Sequence, residues 1–102
     1  MAHGTKFMNG ESRRLLIEML FAEKCSCIIR NGDRIGIFRN RGVMDLYHLL
    51  GNDRSFLDGA FVTDKVVGKG AAALMVLGGI GELFADVISH SALKLLKSNE
   101  IG

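Results

Sequence analysis

Residues 63–88, TDKVVGKGAAALMVLGGIGELFADVI, form the most apolar run of the chain, contain no proline, and carry positive charge at one end only, on Lys65 and Lys69. The pattern predicts a helix from Asp64 to near Leu77, ended by Gly78-Gly79, which supplies the left-handed conformation at which helices stop. A strand from Leu83 to Ile88 follows. A helix apolar on every side past its second turn belongs in an interior, and a near-continuous apolar strand belongs in a sheet covered on both faces. The core is therefore expected here.

On the N-terminal side, Met1 to Met8 has no periodic pattern and is set aside as a frayed end. Asn9 suits the N-cap of an amphipathic helix to about Glu23, with Leu15, Leu16, Met19 and Leu20 on one stripe. Two β-prone runs, Cys25 to Arg30 and Asp33 to Phe38, flank Asn31-Gly32. That dipeptide is the strongest short-range hairpin signal, because the tight turn needs positive φ at its centre. Period-2 spacing puts Cys25, Cys27 and Ile29 on one face of the first strand and Ile28 on the other. Val43, Leu46, Tyr47 and Leu50 are spaced for a second helix closed by Gly51, and Phe56-Leu57 for a short turn over the core. Gly59 to Val62 then runs extended into Thr63. At the far end Ser89 or Ser91 caps a last helix through about Lys97, with Ala92, Leu93, Leu95 and Leu96 to bury. The order helix, hairpin, helix, buried helix, strand, helix implies one α/β domain over residues 9–102, a three-layer α/β/α sandwich around a mixed sheet.

Composition narrows the function classes. A chain of 102 residues with 48% hydrophobic and 24% charged residues needs neither metal nor disulfide to fold. A net charge of +2 is too small to argue for nucleic acid. Cys25 and Cys27 are too close together to bridge without strain, which favours a reducing, cytosolic setting. The longest uncharged apolar stretch, Gly70 to Gly81, is shorter than the ~20 residues a membrane span requires.

The candidate chemistry gathers at the start of the long apolar run. On a helix Lys65 and Lys69, four apart, share a face. Lysine there opposes the helix dipole, which favours anions at that end. Either both ammonium groups and the free N–H groups hold an oxygen-rich ligand, a phosphate, carboxylate or carbonyl, or both lysines reach out to water. Asp64 is either an acid or base of that site or an ordinary first-turn carboxylate. Gly68-Lys69-Gly70-Ala71-Ala72-Ala73 matches G-x-G-x-x-A, with Val66-Val67 as the preceding strand, but that reading leaves a helix of only Ala71 to Leu77 and no room for a many-stranded parallel sheet. Gly68 and Gly70 are instead expected to let the helix lie close to the sheet or to a ligand. Cys25 and Cys27 are read as buried thiols, since no second cysteine pair or spaced histidine pair accompanies them to hold zinc. His90 stands at the start of the last helix, and Arg39 and Arg41 extend the positive pocket if their loop lies beside the central helix.

CSCIIRNGD, RGVMDLYHLL, DKVVGKGAAALMVLGG and FADVIS, in this order, resemble a family of short uncharacterised prokaryotic proteins assigned to the cytidine-deaminase-like fold, over about Leu15 to Leu96. The resemblance implies a three-layer sandwich with its ligand pocket at the start of the central helix. Zinc-dependent deaminases carry a His or Cys ligand there with a Glu two residues on, and Pro-Cys-x-x-Cys at the next helix start. This chain reads Asp64-Lys65-Val66 and Ser89-His90-Ser91-Ala92, without those ligands, so no zinc cofactor is expected. Members of the family continue into an Asn-Arg pair and a Cys-Pro motif that the sequence to Gly102 does not contain.

Two functions follow. In the first, the protein binds a nucleobase-like or phosphorylated small molecule, with Asp64 and Lys65 as the catalytic candidates and Lys69, Arg41, Gly68 and Ser89 as ligand contacts; whether it is an enzyme stays open. In the second, it is a catalytically silent structural or regulatory module that acts by self-association, as a homo-oligomer.

Overall fold

The computed structural model describes residues 10–39, 43–99 and 101. Helix α1 (Gly10–Ala22) leads into the hairpin β1 (Cys27–Asn31) and β2 (Arg34–Phe38), then α2 (Met44–Asn52) and the short α3 (Arg54–Leu57). Strand β3 (Phe61–Val67), α4 (Lys69–Gly78), β4 (Glu82–Ile88) and α5 (His90–Ser98) complete a mixed α/β fold. The four strands lie in the order β2-β1-β3-β4, with β1 antiparallel to both β2 and β3, and β3 parallel to β4.

The largest departure from the sequence reading is β3. Asp64 and Lys65 do not begin the central helix; they sit in the strand, and the helix starts at Lys69. Thr63, Val66 and Val67 are β-branched and favour the strand, and Gly68, extended at φ −99°, stands between the two elements. The crossover helix thus joins two parallel strands, and the sheet has one strand more than the element order suggested. The helix ends as expected: Gly79, at φ 75°, takes the left-handed cap and donates to Met75 O and Val76 O.

Smaller corrections have local causes. The hairpin pairs Asn31 with Arg34, so its two turn residues are Gly32 and Asp33, with Gly32 at φ 61°. Asn31 ends β1 and turns its side-chain amide on three carbonyls, Ser55 O at 3.2 Å, Phe56 O at 3.0 Å and Asp58 O at 2.8 Å. Gly51 lies inside α2 rather than beyond it, while Asp53 is its C-cap. Strand β4 is an edge strand, only partly covered, and its Val87 is exposed. Likewise α4 buries Ala71, Ala72, Met75 and Gly78 but leaves Leu77 exposed. Asn9, proposed as the cap of α1, lies outside the described residues.

The core divides along the strand alternation. Ile28 joins Leu16, Leu20, Cys25 and Phe61 beneath α1. Its neighbours Cys27 and Ile29 join Leu46, Phe56, Leu57, Val62, Met75 and Leu96 beneath the later helices. Cys25, which precedes β1, therefore lies in the other cluster from Cys27 and not on its face as expected. Each fully buried aliphatic side chain contributes about 1.5–3 kcal/mol, and Leu20, Ile28, Ile29, Leu57, Val62 and Met75 are all sealed from solvent. Arg13 of α1 pairs with Glu82 at 2.7 Å, fastening the helix to the start of β4. Of the two caps expected, Ser89 or Ser91, it is Ser89 that caps α5, its Oγ accepting from Ala92 N at 3.1 Å.

Candidate functional site

A cleft of about 890 Å³ opens where β3 gives way to α4. It lies within the size range of small-molecule sites, and at the carboxyl end of a parallel strand, where open α/β sheets bind their ligands. Its walls come from four places. Cys25, Ser26 and Cys27 lead into β1, Phe38 and Arg39 leave β2, and Val43, Asp45 and Leu46 begin α2. Asp64, Lys65, Val66, Gly68, Gly70 and Ala71 supply the side formed by β3 and α4.

Backbone bonds hold these walls together. Lys65 N donates to Ser26 O at 3.0 Å, and Ser26 N donates to Phe38 O at 2.8 Å, so β3 and both hairpin ends are tied through one residue. The Ser26 hydroxyl adds a second bond to Phe38 O at 3.1 Å.

Asp64 is the unusual member. It is 8% exposed, and Thr63 is the other buried polar or charged residue among those described. Its Oδ1 accepts from Val66 N at 3.2 Å. Burial dominates over the backbone bonds from Val66 and Lys65, and lifts its pKa to about 6 from the ordinary 3.8. Among the described residues no Lys, Arg or His forms an ion pair with it. Cys27 stands directly across the ladder from Asp64. Burial first, then the charges of Asp64 and Asp45, push its thiol well above its ordinary value. That thiol is protonated at neutral pH and is not a ready nucleophile.

Of the residues singled out in the sequence, Asp64, Lys65 and Gly68 line the cleft together. Lys69 does not line it, because as the first residue of α4 it no longer shares a helical face with Lys65. Ser89 serves as the N-cap of α5 and lies outside the lining, and Arg41 lies outside the described residues. Arg39 does line it, as the loop argument anticipated, and pairs with Glu23 at 3.7 Å. The reading missed Asp45, Phe38 and Ser26, and treated Cys27 only as a thiol. The available signal was β-branched residues up to a glycine and then a helix, whose strand end locates the site.

Gly68 and Gly70 do not bring the helix close to the sheet, one of the two roles expected of them. A Cβ at Gly68 meets nothing within 4 Å, and one at Gly70 meets only Val43 Cγ1 at 3.6 Å, so neither glycine permits a close approach within the molecule. The strand–Gly68–helix turn itself, set aside in the sequence reading, does occur, but in a sheet with one parallel pair. Among the described residues no three His, Cys, Asp or Glu side chains cluster closely enough to hold a metal ion, and no helix is long and apolar enough to cross a membrane.

A mixed sheet with a cleft at the carboxyl end of its parallel strand defines an α/β protein with a candidate small-molecule site there. The chain belongs to the family described as Domain of unknown function (DUF1893), whose model matches residues 15–102. Its fold is similar to that of a DUF1893 family protein from Thermotoga maritima known from a 2.70 Å crystal structure, with a TM-score of 0.82 and 24% identity over 100% of this chain and 69% of that one. No curated protein matches the sequence.

Proposed function

We propose that the protein binds a small, nucleobase-like or phosphorylated organic molecule in the cleft at the end of β3. The observation that carries this reading is Asp64, a buried carboxylate maintained on the wall of a roomy, largely apolar cleft with no cation paired to it among the described residues. A carboxylate in such a place costs stability, and a bound ligand would use it. Gly68 and Gly70, which nothing inside the molecule requires, keep that wall low. The placement of α1 over one apolar cluster and the later helices over the other supports a three-layer, cytidine-deaminase-like sandwich. Cys25 and Cys27, both free and buried, suit a cytosolic setting. The test is a thermal-shift screen of wild type and Asp64→Ala against nucleobases, nucleosides, nucleotides, phosphate and zinc. A ligand at a hundredfold excess over Kd adds about 2.7 kcal/mol. A shift seen in wild type and lost in Asp64→Ala supports the reading, whereas no shift with any compound sinks it.

Self-association is the second reading, favoured by one observation. Edge strand β2 leaves Ile35 and Ile37 exposed, and such an edge invites pairing with another chain. Light scattering of wild type and Ile35→Lys decides it: a single monomeric mass for both removes this reading.

A further inference from the structure

We propose that the cleft selects a ligand edge with two adjacent N–H donors, such as an amidine, a guanidine or an amino-substituted nitrogen heterocycle, with the Asp64 carboxylate receiving both hydrogens. The proposal rests on the reading of the cleft as a small-molecule site and names what that site takes.

The argument starts from what Asp64 lacks. An ionised carboxylate offers about four acceptor positions on two oxygens, of which the backbone N–H groups of Val66, 3.2 Å from Oδ1, and of Lys65 take up two. Among the described residues no cation pairs with it, although Lys24, Lys65 and Arg39 line the same cleft. Its directly opposed neighbour, Cys27, carries no positive charge, and Asp45 on the α2 wall brings a further negative one. The interior around Asp64 thus supplies backbone donors only, while the cations that line the cleft leave it without an ion pair among the described residues. A buried carboxylate is best satisfied by paired, parallel N–H donors, which are stronger than single neutral bonds and fix orientation. Flanking apolar groups, Phe38, Leu46 and Val66 among them, suit a flat ring or short carbon body behind that edge. The sequence pattern had pointed to an anion held by Lys65 and Lys69. The fold separates those two residues, and the group it buries in their place is an acid.

The experiment is protein-observed NMR on the intact 15N-labelled chain, titrated at pH 7.5 with three probes of one shape: benzamidine, benzamide and benzoate. Saturable shifts at Ser26, Lys65, Val66 and Gly70 are expected with benzamidine, weaker ones with benzamide, and none with benzoate. In Asp64→Asn, whose own spectrum reports whether it is folded, the benzamidine Kd is expected to rise at least tenfold. Lowering the pH to 5 is expected to weaken benzamidine in wild type and to leave Asp64→Asn unchanged. Binding of benzoate in preference to benzamidine overturns the proposal and leaves the cleft a ligand site of opposite preference. The same holds if benzamidine is silent while the thermal-shift screen yields a cleft ligand. Silence in both experiments removes the site reading as well.

Discussion

Cys27 and Asp64 are direct partners across the antiparallel β1–β3 ladder, and both line the cleft. Opposed residues in such a ladder hold their Cβ atoms about 4.5–5.5 Å apart. A carboxylate at that separation, out of water, adds to burial in opposing ionisation of the thiol. Cys27 is therefore expected to resist alkylation in the native protein at pH 8, reacting with iodoacetamide only as fast as the chain opens. Stoichiometric labelling within minutes under native conditions would show that the thiol is exposed or ionised.

Asp64 couples stability to pH in the sense opposite to an ion-paired carboxylate. Its folded pKa of about 6 exceeds the ordinary 3.8, so between those values the folded chain holds a proton that the unfolded chain has released. The contribution of this group to stability therefore falls as pH rises through the window and is lowest above it, by about 2–3 kcal/mol. Cys27 faces Asp64 across the ladder, and Asp45, Lys24, Lys65 and Arg39 line the same cleft. Asp64→Asn is expected to be more stable than wild type in urea at pH 7.5, with the gap closing by pH 4. An unchanged difference across that range would mean that Asp64 is ionised at no cost.

Two glycines of α4 make a matched pair. At Gly78 a Cβ would stand 2.8 Å from Leu57 Cδ1 and 2.9 Å from Leu57 Cβ, and Leu57 is fully buried. Gly78→Ala should cost about 1–3 kcal/mol by overpacking. Gly70→Ala meets only Val43 Cγ1 at 3.6 Å and should gain up to about 1 kcal/mol of helix propensity. Urea midpoints check both, and equal effects would refute the placement of this helix.

Met75, on α4, is fully buried and belongs to the larger cluster. Met75→Ala is expected to cost about 2–5 kcal/mol, read by the same denaturation. A loss below about 1 kcal/mol would contradict this core.

Asn31→Ala removes the donor that faces the carbonyls of Ser55, Phe56 and Asp58. The expected loss is about 1–2 kcal/mol, with faster amide exchange confined at first to α3 and the hairpin turn. Unaltered exchange there would show that water replaces the amide without cost.

How much of this was legible in the sequence depended on whether local and tertiary preferences agreed. At Asn31-Gly32 they nearly did, and the hairpin formed with its turn one residue later. At Ser89 a hydroxyl before an apolar helical pattern is a local signal, and of the two serines read as caps it is the one on α5. At Asp64-Lys65 they conflicted. Asp and Lys are poor strand formers, so the helix was extended back over them, whereas pairing with both β1 and β4 holds Asp64 in β3, and the bond from Lys65 N to Ser26 O holds its neighbour there. The same conflict displaced Lys69 from the site and hid the role of Asp64, since a burial cost that a ligand would offset leaves no mark on local propensity.

The order of the strands also bears on how the chain reaches this state. Strands β1 and β2 close on a two-residue turn, and β3, α4 and β4 close on a single crossover, so each unit can form from near neighbours in sequence. Within the sheet only the β1–β3 ladder joins them, across a long intervening segment, and such pairings form slowly. Cys27 and Phe38 belong to the first unit and Asp64 and Gly68 to the second. The cleft therefore exists only where the two units meet, and any molecule that fills it clamps one to the other.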